Sequence, residues 1–178
     1  VCYDPADKLF KLWYTRVRPH ATCYATSKDG IHWEKPDLDV VSGTNIVLKP
    51  KSFNSTAVFL DHHAKDPKER FKYFASEDLH ERARDEFGWS YTYRSSPDGI
   101  HWSEPKAQAD VWGDRSTAFY NPFRKVWVLS QRTEGRGDDP DSIGRSRSYL
   151  EGTTAKEMMA EVTYNAFEEV EGKSVLWA

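Results

Sequence analysis

Ser96-Pro97-Asp98-Gly99-Ile100-His101-Trp102 repeats Ser27-Lys28-Asp29-Gly30-Ile31-His32-Trp33, with only the second position changed. A proline follows each tryptophan at the same offset, Pro36 and Pro105. Trp33 and Trp102 stand 69 residues apart, a spacing that signals one supersecondary unit used more than once. Asp-Gly supplies a tight turn in which glycine takes a positive φ. The tryptophan three residues on is placed to fold back over the hairpin with its large apolar face. Read this way, the Asp and His of each copy build turns and touch no substrate. A fainter third copy, Arg147-Ser148-Tyr149-Leu150-Glu151-Gly152, follows the pattern of Arg94-Ser95-Ser96-Pro97-Asp98-Gly99, with Ala155 where the tryptophan would stand.

A second device punctuates the chain. Asp4-Pro5, Asp66-Pro67 and Asn121-Pro122 each precede an apolar run by the same number of residues, the runs opening at Leu9, Phe71 and Val126. A basic residue (Lys8, Arg70, Lys125) stands just before each run. Asx-Pro turns followed by aromatic or β-branched runs are hairpin signals. Polar loops are then expected at 16–20, 77–87 and 131–141, and third strands at 21–26, 89–95 and 142–148. The Asp-Gly box turns the chain into an outer strand, and linkers lead to new first strands at 54–60 and 115–120. The unit reads as a four-stranded antiparallel meander, and such meanders repeated radially make a β-propeller.

The expected fold class is therefore all-β, a single partial propeller domain over 1–178. It comprises the remainder of one blade (1–50), two blades (51–110 and 111–155) and half a blade (156–178). In the tail, 155–160 favours helix, while 162–167 and 174–177 read as the first two strands of a further unit. Propellers close with about four or more blades. A missing segment or a second chain is therefore expected to complete this one, and Val1 stands inside a strand pattern, so upstream sequence is expected too.

Lys+Arg number 25 and Asp+Glu 28, a formal charge of −3, which makes no case for nucleic acid or an anionic membrane surface as partner. No apolar run approaches the ~20 residues that span a bilayer, and no signal peptide is read, which leaves the compartment open, secreted or periplasmic included. Aromatic residues make up 14%, which suits β-structure and also suits stacking against the apolar faces of sugars. The two cysteines, Cys2 and Cys23, lack C-x-x-C spacing; a cross-strand disulfide and two buried thiols both remain open.

Thr26-Ser27-Lys28-Asp29-Gly30-Ile31-His32-Trp33-Glu34-Lys35-Pro36 and Gly113-Asp114-Arg115-Ser116-Thr117-Ala118-Phe119-Tyr120 resemble stretches of the five-bladed β-propeller glycoside hydrolases of families 32 and 43. The resemblance covers about residues 1–152. It implies a hydrolase that cleaves a glycosidic bond in an oligo- or polysaccharide with carboxylates at the openings of the innermost strands. One is base or nucleophile, one stabilises the transition state, and a glutamate is general acid. Six residues before the last residue ahead of each Asx turn stand Asn54 and Asp114, and in the tail Glu161; for the first unit this position falls before Val1. Asp114 is thus the expected stabiliser and Glu161 the expected acid, and Asp114-Arg115 resembles, in reversed order, the Arg-Asp-Pro signature of family 32.

Meander geometry puts the strand-two loops on the same face as these openings, and the repeated turns, with His62 and His63, on the other. Substrate-binding candidates are therefore Asn54, Arg115, Arg16, His20, Glu77, Arg132 and Glu134, with arginines suited to uronate or sulfate groups. No cofactor is expected. Asp138-Asp139-Pro140-Asp141 reads either as a structural calcium loop or as a solvated acidic loop. The alternative to an enzyme is a non-catalytic carbohydrate-binding or interaction propeller, or an inactive fragment.

Overall fold

The computed structural model describes residues 1–49, 54–77, 89–111, 115–136, 143–160 and 175–176. Its elements run β1 (Cys2–Asp4), β2 (Leu9–Val17), β3 (His20–Ser27), β4 (Ile46–Leu48), β5 (Asn54–Leu60), β6 (Phe71–Glu77), β7 (Trp89–Ser96), β8 (Ala107–Val111), β9 (Thr117–Asn121), β10 (Val126–Arg136), β11 (Ile143–Gly152), α1 (Ala155–Ala160) and β12 (Val175–Leu176). They form three four-stranded sheets, in the orders β1-β2-β3-β4, β5-β6-β7-β8 and β12-β11-β10-β9. The fold is all-β with one short helix among the described residues. The chain divides into two compact units, and the division runs through the middle sheet: Phe71 and Tyr73 belong to one unit, Phe74 and Tyr91 to the other.

Each sheet's first hairpin closes on an Asx side chain, because a short carboxylate or amide can accept from backbone N–H groups two or three residues on. Asp4 Oδ1 accepts from Ala6 N at 3.1 Å, and Asn121 Oδ1 from Phe123 N and Arg124 N, both at 3.1 Å. In the middle sheet the closing residue is Asp61, which accepts from His63 N at 2.9 Å and donates its own N–H to Arg70 O at 2.7 Å. Asp66, the residue expected there, instead caps a 3₁₀ turn at Pro67–Glu69 by accepting from Lys68 N at 2.9 Å. The middle hairpin is longer than its fellows, so a proline-based alignment lands on its second Asx turn. Counted from the closing pair, Lys11 and Lys72 are equivalent, and each meets its Asx: Lys11 Nζ lies 2.9 Å from Asp4 Oδ2, Lys72 Nζ 3.1 Å from Asp61 Oδ2. Asp4 is fully buried, and Arg70 Nη2 also donates to its Oδ1 at 2.6 Å. Burial pushes the Asp4 carboxyl up, but Lys11, the Ala6 amide and Arg70 outweigh it and hold it below the usual carboxylate range.

Four further expectations are corrected. Residues 131–136 are not loop but the extended end of β10, paired residue for residue with β11. Arg16 and His20 likewise lie in paired strands, and only Arg18 and Pro19 turn the chain between Val17 and His20. The third box forms no Asp-Gly turn: β11 runs straight through to Gly152, and α1 follows. A Cβ on Gly152 would strike the Met158 backbone, so this glycine serves close packing of α1 rather than a left-handed turn. The helix over 155–160 is as expected, opened by Thr154 accepting from Glu157 N at 3.1 Å while Glu157 reaches back to the Thr153 and Thr154 amides. In the tail, 174–177 was expected as the second strand of a further unit; Val175 and Leu176 instead pair with Tyr149 and Ser148 as the outer strand of the third sheet. Residues 161–174, including the strand expected at 162–167, lie outside the described residues, as does the 138–141 acidic loop. Cys2 and Cys23 are both free thiols, and burial pushes Cys2 up.

The two complete boxes adopt positive φ at glycine, +78° at Gly30 and +83° at Gly99. Their surroundings differ. A Cβ on Gly99 would sit 2.5 Å from Trp13 Cζ2, whereas one on Gly30 meets only the Phe10 ring at 3.7 Å. Both alanine substitutions strain the backbone by about 1–2 kcal/mol, but Gly99→Ala adds an overpacking cost of about 1–3 kcal/mol. Denaturant melts should therefore rank Gly99→Ala below Gly30→Ala by roughly that second amount; equal losses would contradict the packing described.

Candidate functional site

The most strongly hydrogen-bonded carboxylates in the described residues belong to the boxes. Ser27 donates to Asp29 Oδ1 at 2.9 Å; Ile31 N and His32 N donate to the same oxygen at 2.8 Å, and His32 Nδ1 lies 2.7 Å from Oδ2. Ser96, Ile100, His101 and Asp98 repeat this to within 0.1 Å, at 2.9, 2.8, 2.9 and 2.7 Å. Those bonds hold Asp29 well below the ordinary carboxylate range. At Asp98 burial works upward, but the bonds from His101, Ile100 and Ser96 win and bring the carboxyl to about 2. Shifted carboxylates often mark active sites, but here every cause of the downward shift lies within the turn. As expected from the sequence, the boxes are architecture.

The opposite ends of the strands carry the candidate residues. Asn54 opens β5, and the same strand pattern brings Glu77, the last residue of β6, to that end of the sheet. Glu77 is buried, at 1% exposure, and Thr92 Oγ1 lies within donating distance of its Oε1 (3.0 Å) and of Ala75 O (3.3 Å). Placing Glu77 in an open loop is thus corrected: it is a strand residue facing inward. In the third sheet, Arg115 stands just ahead of β9, and Ser116 Oγ accepts from Arg132 N at 3.3 Å. Glu134 lies two residues further along β10, opposite Arg145. Asp114 and Glu161 lie outside the described residues. Arg16 and His20 end the β2–β3 hairpin in the other compact unit, where Arg16 Nε donates to Arg18 O at 3.2 Å.

Two features escaped the sequence reading. First, Ser55 and Arg115 hold left-handed backbone, φ 59° and 64°. They occupy the same place in their sheets, immediately after Asn54 and Asp114. Non-glycine residues reach this region at a cost of order 1 kcal/mol or more and collect at functional sites. Second, Arg147, read as part of a decayed box, pairs with Arg132 across the β10–β11 ladder. Its Nη2 donates to Arg115 O at 3.2 Å, and its Nη1 reaches Ser130 O at 3.2 Å and Oγ at 3.3 Å. Arg147 thereby ties down the backbone at Arg115. A turn-like stretch whose arginine sits mid-strand was the only signal for it. The third sheet's end so gathers cationic and hydroxyl groups, suited to hydrogen-bonding an oxygen-rich or anionic ligand. The described residues contain no group of three or more potential metal ligands, and no helix among them is long and apolar enough to cross a membrane.

No family model matches the chain, and no curated protein matches it. A solved structure does. It is an N-acetylgalactosamine deacetylase from F. plautii in complex with blood group B trisaccharide, with a TM-score of 0.54 and 17% identity. The match covers 87% of this chain and 49% of that one, so the chain spans about half the length of that protein. At this identity the likeness is one of fold.

The His101 imidazole links the second box to the 34–44 segment, with Nδ1 2.7 Å from Asp98 Oδ2 and Nε2 3.0 Å from Asp39 Oδ1. Only the imidazolium can donate from both nitrogens, and the bond to Asp98, helped by Asp39, raises its pKa. Its contribution to stability is complete below about pH 6.5 and is lost as pH rises through the raised value; Asp98's is complete above about pH 3.9 and is lost as pH falls towards 2. The melting temperature of the native chain should exceed that of His101→Gln by more at pH 6 than at pH 9. A gap independent of pH would refute the clasp.

Proposed function

We propose that this chain is part of a carbohydrate-active enzyme, built as a five-bladed β-propeller like the glycoside hydrolases of families 32 and 43, and that it cleaves a glycosidic bond. The observation that carries this reading is the left-handed backbone at Ser55 and Arg115, directly after Asn54 and Asp114. Left-handed backbone also recurs at Lys8 and Lys125, in the closing turns; at Ser55 and Arg115 it lies away from those turns and falls where the resembling enzymes keep their carboxylates. A fold shared with an enzyme named for N-acetylgalactosamine, and seen with a trisaccharide, supports a sugar as substrate.

In this reading Glu161 protonates the glycosidic oxygen as the bond to the anomeric carbon breaks, and Asp114 stabilises the positive charge that develops on the ring. Arg147 holds the carbonyl of Arg115, the residue after Asp114 in the sequence. Arg115, Arg132, Glu134 and Asn54 bind hydroxyl or acidic groups of the sugar, and Glu77 supplies a buried carboxylate. The base or nucleophile belongs to a sheet other than these three. One observation favours the non-catalytic reading: Asn54 offers an amide where the next sheet has an acid.

Incubation of the complete enzyme, with the base-bearing sheet present, with a panel of neutral, uronate-containing and sulfated polysaccharides should release new reducing ends. Asp114→Asn and Glu161→Gln should each lower that rate by about 10²–10³-fold, with Kd for the glycan little changed. Acetate release from N-acetylated sugars with the chain left intact would replace hydrolysis by deacetylation. Glycan binding with no turnover would establish the non-catalytic propeller.

A further inference from the structure

Consecutive sheets meet through a repeated ring contact. The ring of Trp13 lies 5.6 Å from that of Phe71, and the ring of Phe74 lies 5.6 Å from that of Trp127. Counted from the closing pairs (Asp4 with Leu9, Asp61 with Arg70, Asn121 with Val126), Trp13 and Phe74 occupy one repeat position. Phe71 and Trp127 occupy another, just after the closing pair. One ring is given by a sheet, the other received. The receiving rings are buried, Phe71 at 0% and Trp127 at 3%.

The first sheet has its own receiving ring, Phe10. It is backed by Tyr3 at 5.0 Å and 58°, as Trp127 is backed by Tyr120 at 5.4 Å and 54°. Yet Phe10 is only half-buried, and Tyr3 is 46% exposed. The box on this sheet tells the same story. At the second box Lys11 Nζ donates to Asp98 O at 3.0 Å and Trp13 Nε1 to Gly99 O at 2.7 Å, and Gly99 is buried. The first box has the same internal bonds, but Ile31, next to the Gly30 that faces the Phe10 ring, is 76% exposed. A receiving face complete in ring, backing ring and turn is thus covered by no described residue.

We propose that the face made by Tyr3, Phe10 and the Asp29-Gly30 turn docks a further four-stranded sheet. That sheet carries, on its second strand, a lysine and two residues later a tryptophan, to donate to the carbonyls of Asp29 and Gly30 and to cover the Phe10 ring. A second copy of this chain does not fit. Its Lys11 and Trp13 are engaged by its own Asp98 and Gly99. In its third sheet the giving position is Ser130, buried against Arg147. The only other giving residue, Phe74, lies against Trp127.

The test supplies such a sheet from the chain itself. Asp61 follows Asp4 by 57 residues, so residues 1–57 placed directly ahead of Val1 continue the first-strand spacing. In this extended chain the added copy's Trp13 indole should show a nuclear Overhauser contact to the resident Phe10 ring, and its N–H should exchange about tenfold or more slower than an exposed indole. Trp13→Ser in the added copy alone should return Phe10 and Tyr3 to their signals in the unextended chain. A fast-exchanging added indole with no contact to Phe10 overturns the proposal whether or not the added segment folds, since a sheet that fits this face folds upon it. Docking and sugar chemistry fail separately here, because glycan turnover is not part of the readout.

Discussion

Two hydrogen bonds from one strand organise the first unit: Lys11 to the carbonyl of Asp98, and Trp13 to the carbonyl of Gly99. Neither donor is cheap to place. Lys11 is 2% exposed, and a buried ammonium needs more than one partner to offset its lost hydration. Asp4, Asp7 and the Asp98 carbonyl supply them, and the ammonium also lies 4.7 Å from the centre of the Phe71 ring. Arg70 then completes the charge balance at Asp4. The close approach of Trp13 leaves the turn no room for a side chain at Gly99.

The same positions are reused with different chemistry along the chain. Lys11 and Lys72 both meet a closing aspartate, but in the third sheet their place falls to Val128 and the closing residue is Asn121. Trp13 has an indole N–H and an Asp-Gly turn to receive it; Phe74 has no N–H, and the third sheet has no such turn. Loss of donor and loss of acceptor go together, as expected where an unsatisfied buried polar group costs about 1–3 kcal/mol. In the third sheet α1 takes over, packing onto Gly152 with Met158 and Met159 buried. The far ends of the strands show the opposite behaviour: the sequence has Asn54 ahead of one turn and Asp114 at the same offset ahead of the next. Turns that dock sheets are held alike, while ends free of that duty vary and can carry chemistry.

Much of this was legible in the residues. The Asp-Gly boxes gave turns with glycine at positive φ, the three Asx-Pro signals gave strands opening at Leu9, Phe71 and Val126, and 155–160 gave a helix. The misreadings share a cause. Residues 131–136 are polar enough to suggest a loop, yet they are held by ladder bonds to β11, and strand pairing does not need apolar side chains. Asp66 competes with Asp61 because both are good Asx-turn formers, and only the Asp61–Arg70 backbone bond decides between them. Val175 and Leu176 join the third sheet because β11 offers an edge, which no local signal in the tail announces.

The sequence alone determined the repeat, the all-β class and the separation of stereotyped turns from variable strand ends, because these rest on local backbone preferences and on spacing along the chain. The tertiary structure decided which strand grips which turn, that Glu77 is buried, that Arg147 holds Arg115, and that Ser55 and Arg115 share a strained backbone. Those facts depend on residues brought together across sheets and ladders, and a contact between positions 13 and 99 has no trace in the neighbours of either.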